Sequence, residues 1–352
     1  MFKSQMISHR TRVLLAIGGG LTVMSMSSSA AAETVLSYSP WLPSGYVVNE
    51  AVMPWMERVE EVTEGRVKIV PRAAGVGAPK EQFDVIRDGL ADVSLVVPGY
   101  TQGRFPLLEM GELPLLSSDA AVLSPTFYQF YAEHFEPLDP FRGAHVLSVF
   151  TVAPAQITTR DGVIKDQSDL EGVKLYISNA PVSSGMESLG AAPVVASIAE
   201  TYSMASSGVI DGAIMPYEPT LTWNLYSEFD YITEVPGAMG QATMTLLVNE
   251  AKWSSISEQD RQAIMEISGE ALAAEVGKAV ARGESESAAK LREQGVTIEE
   301  MPADMYEQMV ETFKPIDQAW ADKAKEAGLE NPKQVLADFR AELGTPDTAE
   351  AE

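Results

Sequence analysis

Side chains able to do chemistry are few and scattered in this chain. There is no cysteine and there are three histidines. Thiolate nucleophiles, disulfides and a lipid-modified N-terminal cysteine are therefore excluded. Beyond residue 32 the histidines are His134 and His145. They lack the H-E-x-x-H spacing of a zinc protease, and neither G-x-S-x-G nor a P-loop pattern occurs. Both read as ordinary surface or core residues. Gly75-Val76-Gly77 lacks the further glycine and the Lys-Ser/Thr pair of a phosphate loop, so it reads as a turn. Glu57, Glu60 and Glu61 share one helix face, where carboxylates are ordinarily solvated. No catalytic residue, no metal ligand and no cofactor is read from the chain, and an enzyme is not expected.

Aromatic residues are the more informative set. Trp41, Tyr100, Tyr176, Tyr217, Trp223 and Tyr226 fall near predicted loop and strand ends. In open α/β sheets, ligands bind at the carboxyl ends of strands. Each ring taken singly reads as packing as readily as pocket. As a group they suit a small pocket that closes over an organic ligand.

The elements that must position them follow an α/β rhythm. Residues 35–38 read as a strand, and apolar positions at Val48, Val52, Trp55, Val59 and Val62 have helical spacing. Residues 66–70 are β-rich, 80–88 helical and 92–97 a strand. This is βαβ winding on a parallel sheet. Residues 172–212 repeat it as strand, helix, strand, helix and strand. Asp88-Gly89-Leu90-Ala91-Asp92 is echoed by Ser207-Gly208-Val209-Ile210-Asp211. In both, a helix C-cap glycine precedes an acidic strand entry, as two lobes of similar construction require. Ser257 with Asp260 forms a capping box. The helical composition after it runs to about residue 294, roughly 55 Å if unbroken, with Gly269, Gly277 and Gly283 as places to bend. Further helices are expected at 303–327 and 332–343, then an acidic disordered tail over 341–352.

Residues 1–32 read as a signal peptide: Lys3, Arg10 and Arg12, an apolar run over 13–24, and Ala30-Ala31-Ala32 before Glu33. The alternative is an uncleaved anchor. The expected location is the periplasm. The full chain carries 25 basic and 50 acidic residues, a charge of −25. Removing residues 1–32 takes away three positive charges and no negative one, leaving −28. Such a field opposes nucleic acid and anionic membranes. It favours cations at long range, although salt screens this within about 10 Å.

Several ordered motifs share a resemblance. They are Trp41-Leu42-Pro43, Trp55, Glu64-Gly65-Arg66, Gly77 with Glu81, Gly89-Leu90-Ala91-Asp92 and Tyr100-Thr101-Gln102-Gly103-Arg104-Phe105-Pro106. Glu112-Leu113-Pro114-Leu115, Asp169 to Leu175, Gly190-Ala191-Ala192-Pro193 and Glu200-Thr201-Tyr202 through Asp211-Gly212 complete the set. It resembles the TRAP-type (tripartite ATP-independent periplasmic) solute-binding proteins across nearly all of 33–352. The resemblance implies a two-lobed α/β fold, each lobe a mixed sheet flanked by helices, with a long lobe-spanning helix. Lobe I would be 33–152 plus 243–281, and lobe II 153–242 plus 282–340. A monomer would close its lobes by a hinge on a small organic solute and deliver it to TRAP membrane permease subunits. The alternative partner is a signalling receptor, with the protein as its periplasmic sensor module.

By the same resemblance the ligand-binding positions are Trp41, Glu81, Gln156, Tyr176, Asn179, Met215, Tyr217 and Glu218. The family's carboxylate-clamping arginine is Tyr176 here, and a second arginine found in some members is Gln156. Tyrosine and glutamine supply neutral donors where arginine supplies a charged fork. With Glu81 and the aromatic faces, this predicts a neutral or cationic ligand such as an amine, amino alcohol or polyol. The alternative is a carboxylate ligand paired with another cation, Arg160 first.

Overall fold

The computed structural model describes residues 33–178 and 180–344. The signal-peptide expectation falls on residues outside this range, as does most of the expected tail.

The first half of the chain winds as its apolar periods require. Strand β1 (Thr34–Ser39) leads to helix α1 (Asn49–Val62), which buries Val52, Trp55 and Val59. Strand β2 (Val67–Pro71) and helix α2 (Gln82–Arg87) precede β3 (Val93–Val96). Helix α3 (Ala120–Phe130), capped by Asp119, precedes β4 (Ala144–Thr151). The chain then crosses to a second sheet through β5 (Gln156–Thr159). There follow β6 (Lys174–Ile177), α4 (Ala180–Ser188), β7 (Ala192–Val195) and α5 (Thr201–Ser206). Strand β8 (Gly212–Met215), α6 (Tyr217–Thr222) and β9 (Tyr231–Glu234) complete this passage. Strand β10 (Thr243–Asn249) returns to the first sheet.

The first sheet has the order β2-β1-β3-β10-β4, with β10 antiparallel to β3 and β4. The second, completed by β11 (Thr297–Glu300), has the order β11-β9-β5-β8-β6-β7. In each, parallel strands wound by helices meet an antiparallel strand that arrives from the other sheet. The two crossings pair with each other: Val152 N–H donates to Ala242 O at 2.9 Å, and Ala155 N–H to Gly240 O at 2.8 Å.

The internal echo is a matched pair of joints. Gly89 and Gly208 both take positive φ, +71° and +73°, at the ends of α2 and α5. Three residues after Gly89, Asp92 accepts Ser37 N–H at 2.7 Å. Three residues after Gly208, Asp211 accepts Lys174 N–H at 3.0 Å. Each carboxylate thus pins a strand entry to its parallel neighbour.

The expected single helix after Ser257 is two helices with a break between them. After α7 (Glu250–Ser255), α8 (Glu258–Glu266) starts on the Ser257–Asp260 box and stops at Ile267. Helix α9 (Gly269–Glu293) restarts at Gly269, whose φ of +53° no continuing helix adopts. It is about 37 Å long. Gly277 and Gly283 lie inside it as contact points: a Cβ on Gly277 would come within 2.4 Å of Ala120 O, and one on Gly283 within 2.9 Å of Val47. Helix α9 packs on α3 and β4 of the first sheet and on α6 beside the second. Helices α10 (Ala303–Glu326) and α11 (Pro332–Glu342) close the described chain. Helix α11 takes in the first two residues assigned to the tail, because Leu336, Phe339 and Arg340 bury its inner face. No described helix is long and apolar enough to cross a membrane.

Candidate functional site

The carboxyl ends of strands from both sheets converge on one cavity. Trp41 follows β1, Val97 follows β3, Ser178 follows β6, and Met215-Pro216 ends β8. The paired crossings form a further wall with Ala153, Ala155, Met239 and Gly240. The space open to the centres of water-sized atoms is about 50 Å³, against about 10–15 Å³ for one water.

The walls are aromatic and apolar. Trp41 meets Tyr100 edge-on, with centroids 6.3 Å apart, and its indole N–H is spent on Leu95 O at 2.9 Å. Tyr176, only 2% exposed, lines the floor with Met215. Its hydroxyl faces that of Tyr100, which also faces the Ile198 N–H. Burial pushes the Tyr100 phenol up to about 12, against the lowering effect of those two donors. Burial likewise raises Tyr176 and Tyr46 well above the usual tyrosine value, so all three are neutral donors at physiological pH. Trp223 completes the ring set; its Nε1–H is buried and has no hydrogen-bond partner.

Among the described residues, no Lys, Arg, His, Asp or Glu lines this cavity. The expected positions divide accordingly. Trp41, Tyr176 and Met215 are on the wall, and Asn179 lies outside the described residues. Glu81 is exposed and turns back to accept Ala78 N–H at 2.7 Å, closing its own turn. Gln156 accepts Val235 N–H at 2.6 Å. With Tyr217, Glu234 and Glu284 it lines a different recess, of about 340 Å³. Side chains alternate along an extended chain, so Pro154 and Gln156 face that recess while Ala153 and Ala155 face the cavity. Tyr217 is held there by Glu234 through its hydroxyl. Glu218 is buried outside the cavity and accepts the Thr222 hydroxyl at 2.6 Å.

Two expectations about charge change as a result. The ammonium partner expected in Glu81 is not at the cavity, so a cationic ligand would meet aromatic faces without a counter-charge. Arg160 does not replace the missing arginine: it donates to Ala205 O at 2.9 Å, lies 3.5 Å from Glu228 and sits over the Phe229 ring. Tyr226 packs against the cluster of Tyr217, Ile232, Ala288, Leu291 and Val296 and does not line the cavity. Tyr46 was absent from the expected positions, although it follows Pro43-Ser44-Gly45 at a loop end, as the other rings do.

The model of the bacterial extracellular solute-binding proteins, family 7, matches residues 38–323. The chain belongs to that family. It is 30% identical to the outer membrane transporter protein TsaT of Comamonas testosteroni over 329 residues, covering 92% of this chain and 95% of that one. It is also similar to a TRAP periplasmic solute binding protein from Bordetella bronchiseptica with bound (R)-mandelate and (S)-mandelate. That likeness is 29% in identity with a TM-score of 0.84, over 88% of this chain and 98% of the other. A third relative, a TRAP solute binding protein from Rhodoferax ferrireducens with copurified benzoate, is 25% identical with a TM-score of 0.81, over 88% and 97%. The family-7 proteins are solute-binding receptors and not enzymes. This member is a TRAP receptor of the two-lobed α/β fold for small organic solutes, working with membrane permease subunits.

Proposed function

We propose that this receptor captures a small aromatic monocarboxylate of benzoate or mandelate size. The observation that carries the reading is a compact cavity walled by Trp41, Tyr46, Tyr100, Tyr176 and Trp223, with no charged side chain among its described lining residues. Flat rings bury an aromatic ligand with large apolar contact and favourable edge or offset geometry. The mandelate and benzoate held by two similar receptors are of this class. The absence of a lining carboxylate argues against an amine. The apolar wall argues against a polyol, whose hydroxyls need many partners.

In this reading the receptor is an exported periplasmic monomer freed of residues 1–32. Lobe I comprises 33–152 plus 243–281, and lobe II 153–242 plus 282–340. The crossings at 152–155 and 235–242 act as the hinge, and closure presents the loaded form to the permease.

A thermal-shift screen tests this. Benzoate, mandelate and 3-hydroxyphenylacetate should raise the melting temperature, since a ligand at a hundredfold excess over Kd adds about 2.7 kcal/mol. Choline, benzylamine and glucuronate should not. Shifts from the amines alone would overturn the proposal. A larger shift from benzamide than from benzoate would favour an uncharged aromatic ligand, as the uncharged wall also permits.

A further inference from the structure

We infer that Trp223 and Tyr100 are the two donors that hold the acid oxygens of the ligand, in place of an arginine. The inference rests on the aromatic-acid reading above.

The indole inventory singles out Trp223. Of the five tryptophans, Trp41 donates to Leu95 O at 2.9 Å, Trp55 to Ser268 Oγ at 3.1 Å and Trp320 to Pro106 O at 3.1 Å. Trp253 stacks on His145, with centroids 4.3 Å apart. Trp223 alone among them has an N–H that is buried without a partner, and it lines the cavity. Buried donors are nearly always satisfied, and one that is not carries a desolvation penalty. An arriving oxygen relieves it. The residue is well fixed to receive one: the Trp223 backbone N–H closes the end of α6 on Pro219 O at 2.9 Å, and the side chain packs against the cluster of Tyr176, Met215 and Phe229.

Tyr100 is the complementary donor. It lines the same cavity and meets Trp41 edge-on, with centroids 6.3 Å apart. Its buried phenol is neutral and carries a proton to give to an arriving oxygen. Tyr100 follows β3 of the first sheet, whereas Trp223 ends α6 beside the second. A carboxylate bonded to both would tie the two strand ends together. Specificity then comes from the spacing of two neutral donors and not from charge, which accounts for an acid site without a lining cation.

The test titrates benzoate into ¹⁵N-labelled receptor and measures affinity by calorimetry. On saturation, one indole N–H signal, missing from the spectrum of Trp223→Phe, should move downfield. Trp223→Phe and Tyr100→Phe should each weaken benzoate by roughly tenfold, the size of one hydrogen bond to a charged group. The melting temperature of Trp223→Phe without ligand should not fall, because its indole donor has no partner in the empty fold. If Trp223→Phe does not fold, the wild-type indole shift and Tyr100→Phe carry the test. Benzoate binding with no indole shift, or with unchanged affinity in both variants, overturns the assignment and leaves the ligand class intact. A wild-type protein that binds no aromatic acid overturns both.

Discussion

Glu284 on the long helix α9 holds the start of α6 by its backbone: one carboxylate oxygen accepts Glu218 N–H at 2.8 Å and the other accepts Tyr217 N–H at 2.9 Å. The joint is buried, and it fixes the helix that carries Pro216, Pro219 and Trp223 into the cavity wall. Replacing Glu284 by alanine leaves two buried N–H groups unpartnered, at about 1–3 kcal/mol each. Glu284→Ala should therefore lose about 2–4 kcal/mol in urea unfolding. A loss below about 0.5 kcal/mol would show that water takes over both bonds.

Three buried carboxyls make the fold sensitive to pH above the usual carboxylate range. Burial raises Glu284 to about 8, Glu112 to about 8 and Glu218 to about 7. Their folded values lie above the unfolded ones, so the folded state binds more protons between about pH 5 and 8. Stability should fall as pH rises through that window and level off above it. Each group adds a slope of up to about 1.4 kcal/mol per pH unit. The carboxylates with lowered values, Asp84, Asp166, Glu200 and Asp260, act in the opposite sense but below the window. Urea midpoints from pH 5 to 9 measure this, and Glu218→Gln should flatten the part near pH 7.

Gly277 inside α9 is a packing device. Alanine is the better helix former by about 1 kcal/mol, but its Cβ would stand 2.4 Å from the Ala120 carbonyl at the start of α3. Overpacking of this kind costs about 1–3 kcal/mol. Gly277→Ala should lower the melting temperature; a rise would mean that α9 moves freely against α3.

Arg340 on α11 is 1% exposed and pairs with Asp317 of α10 at 2.9 Å, while also reaching Pro114 O and Leu115 O. Arg340→Leu leaves the buried Asp317 without its guanidinium, a change worth about 3–5 kcal/mol. Adding Asp317→Leu should recover much of that loss. Urea unfolding of the two variants checks it, and an undiminished loss in the double variant would assign the effect to the Pro114–Leu115 contacts.

Local signals in the chain reached far into this fold. The period of Val52, Trp55 and Val59 set α1. The echoed glycine and aspartate at 89 and 92, and at 208 and 211, marked equivalent joints in both sheets. The helix break at 267–269 was harder to see. Ile264, Ile267 and Ala271 keep helical spacing across it, and whether Gly269 stays in the helix depends on its positive φ and its tight contact with Tyr128.

The sequence by itself determined the α/β winding, the absence of cysteine chemistry and the aromatic rings at strand ends, because these follow from residue type, periodicity and turn chemistry over short distances. Only the tertiary structure decided which of those residues meet. Trp41, Tyr100, Tyr176 and Trp223 come from four separate elements to one cavity, while Glu81, Gln156, Tyr217 and Glu218 are claimed by nearer partners. A side chain's neighbours depend on the direction of its Cβ and on the crossing of two distant segments, and neither is written in the local pattern.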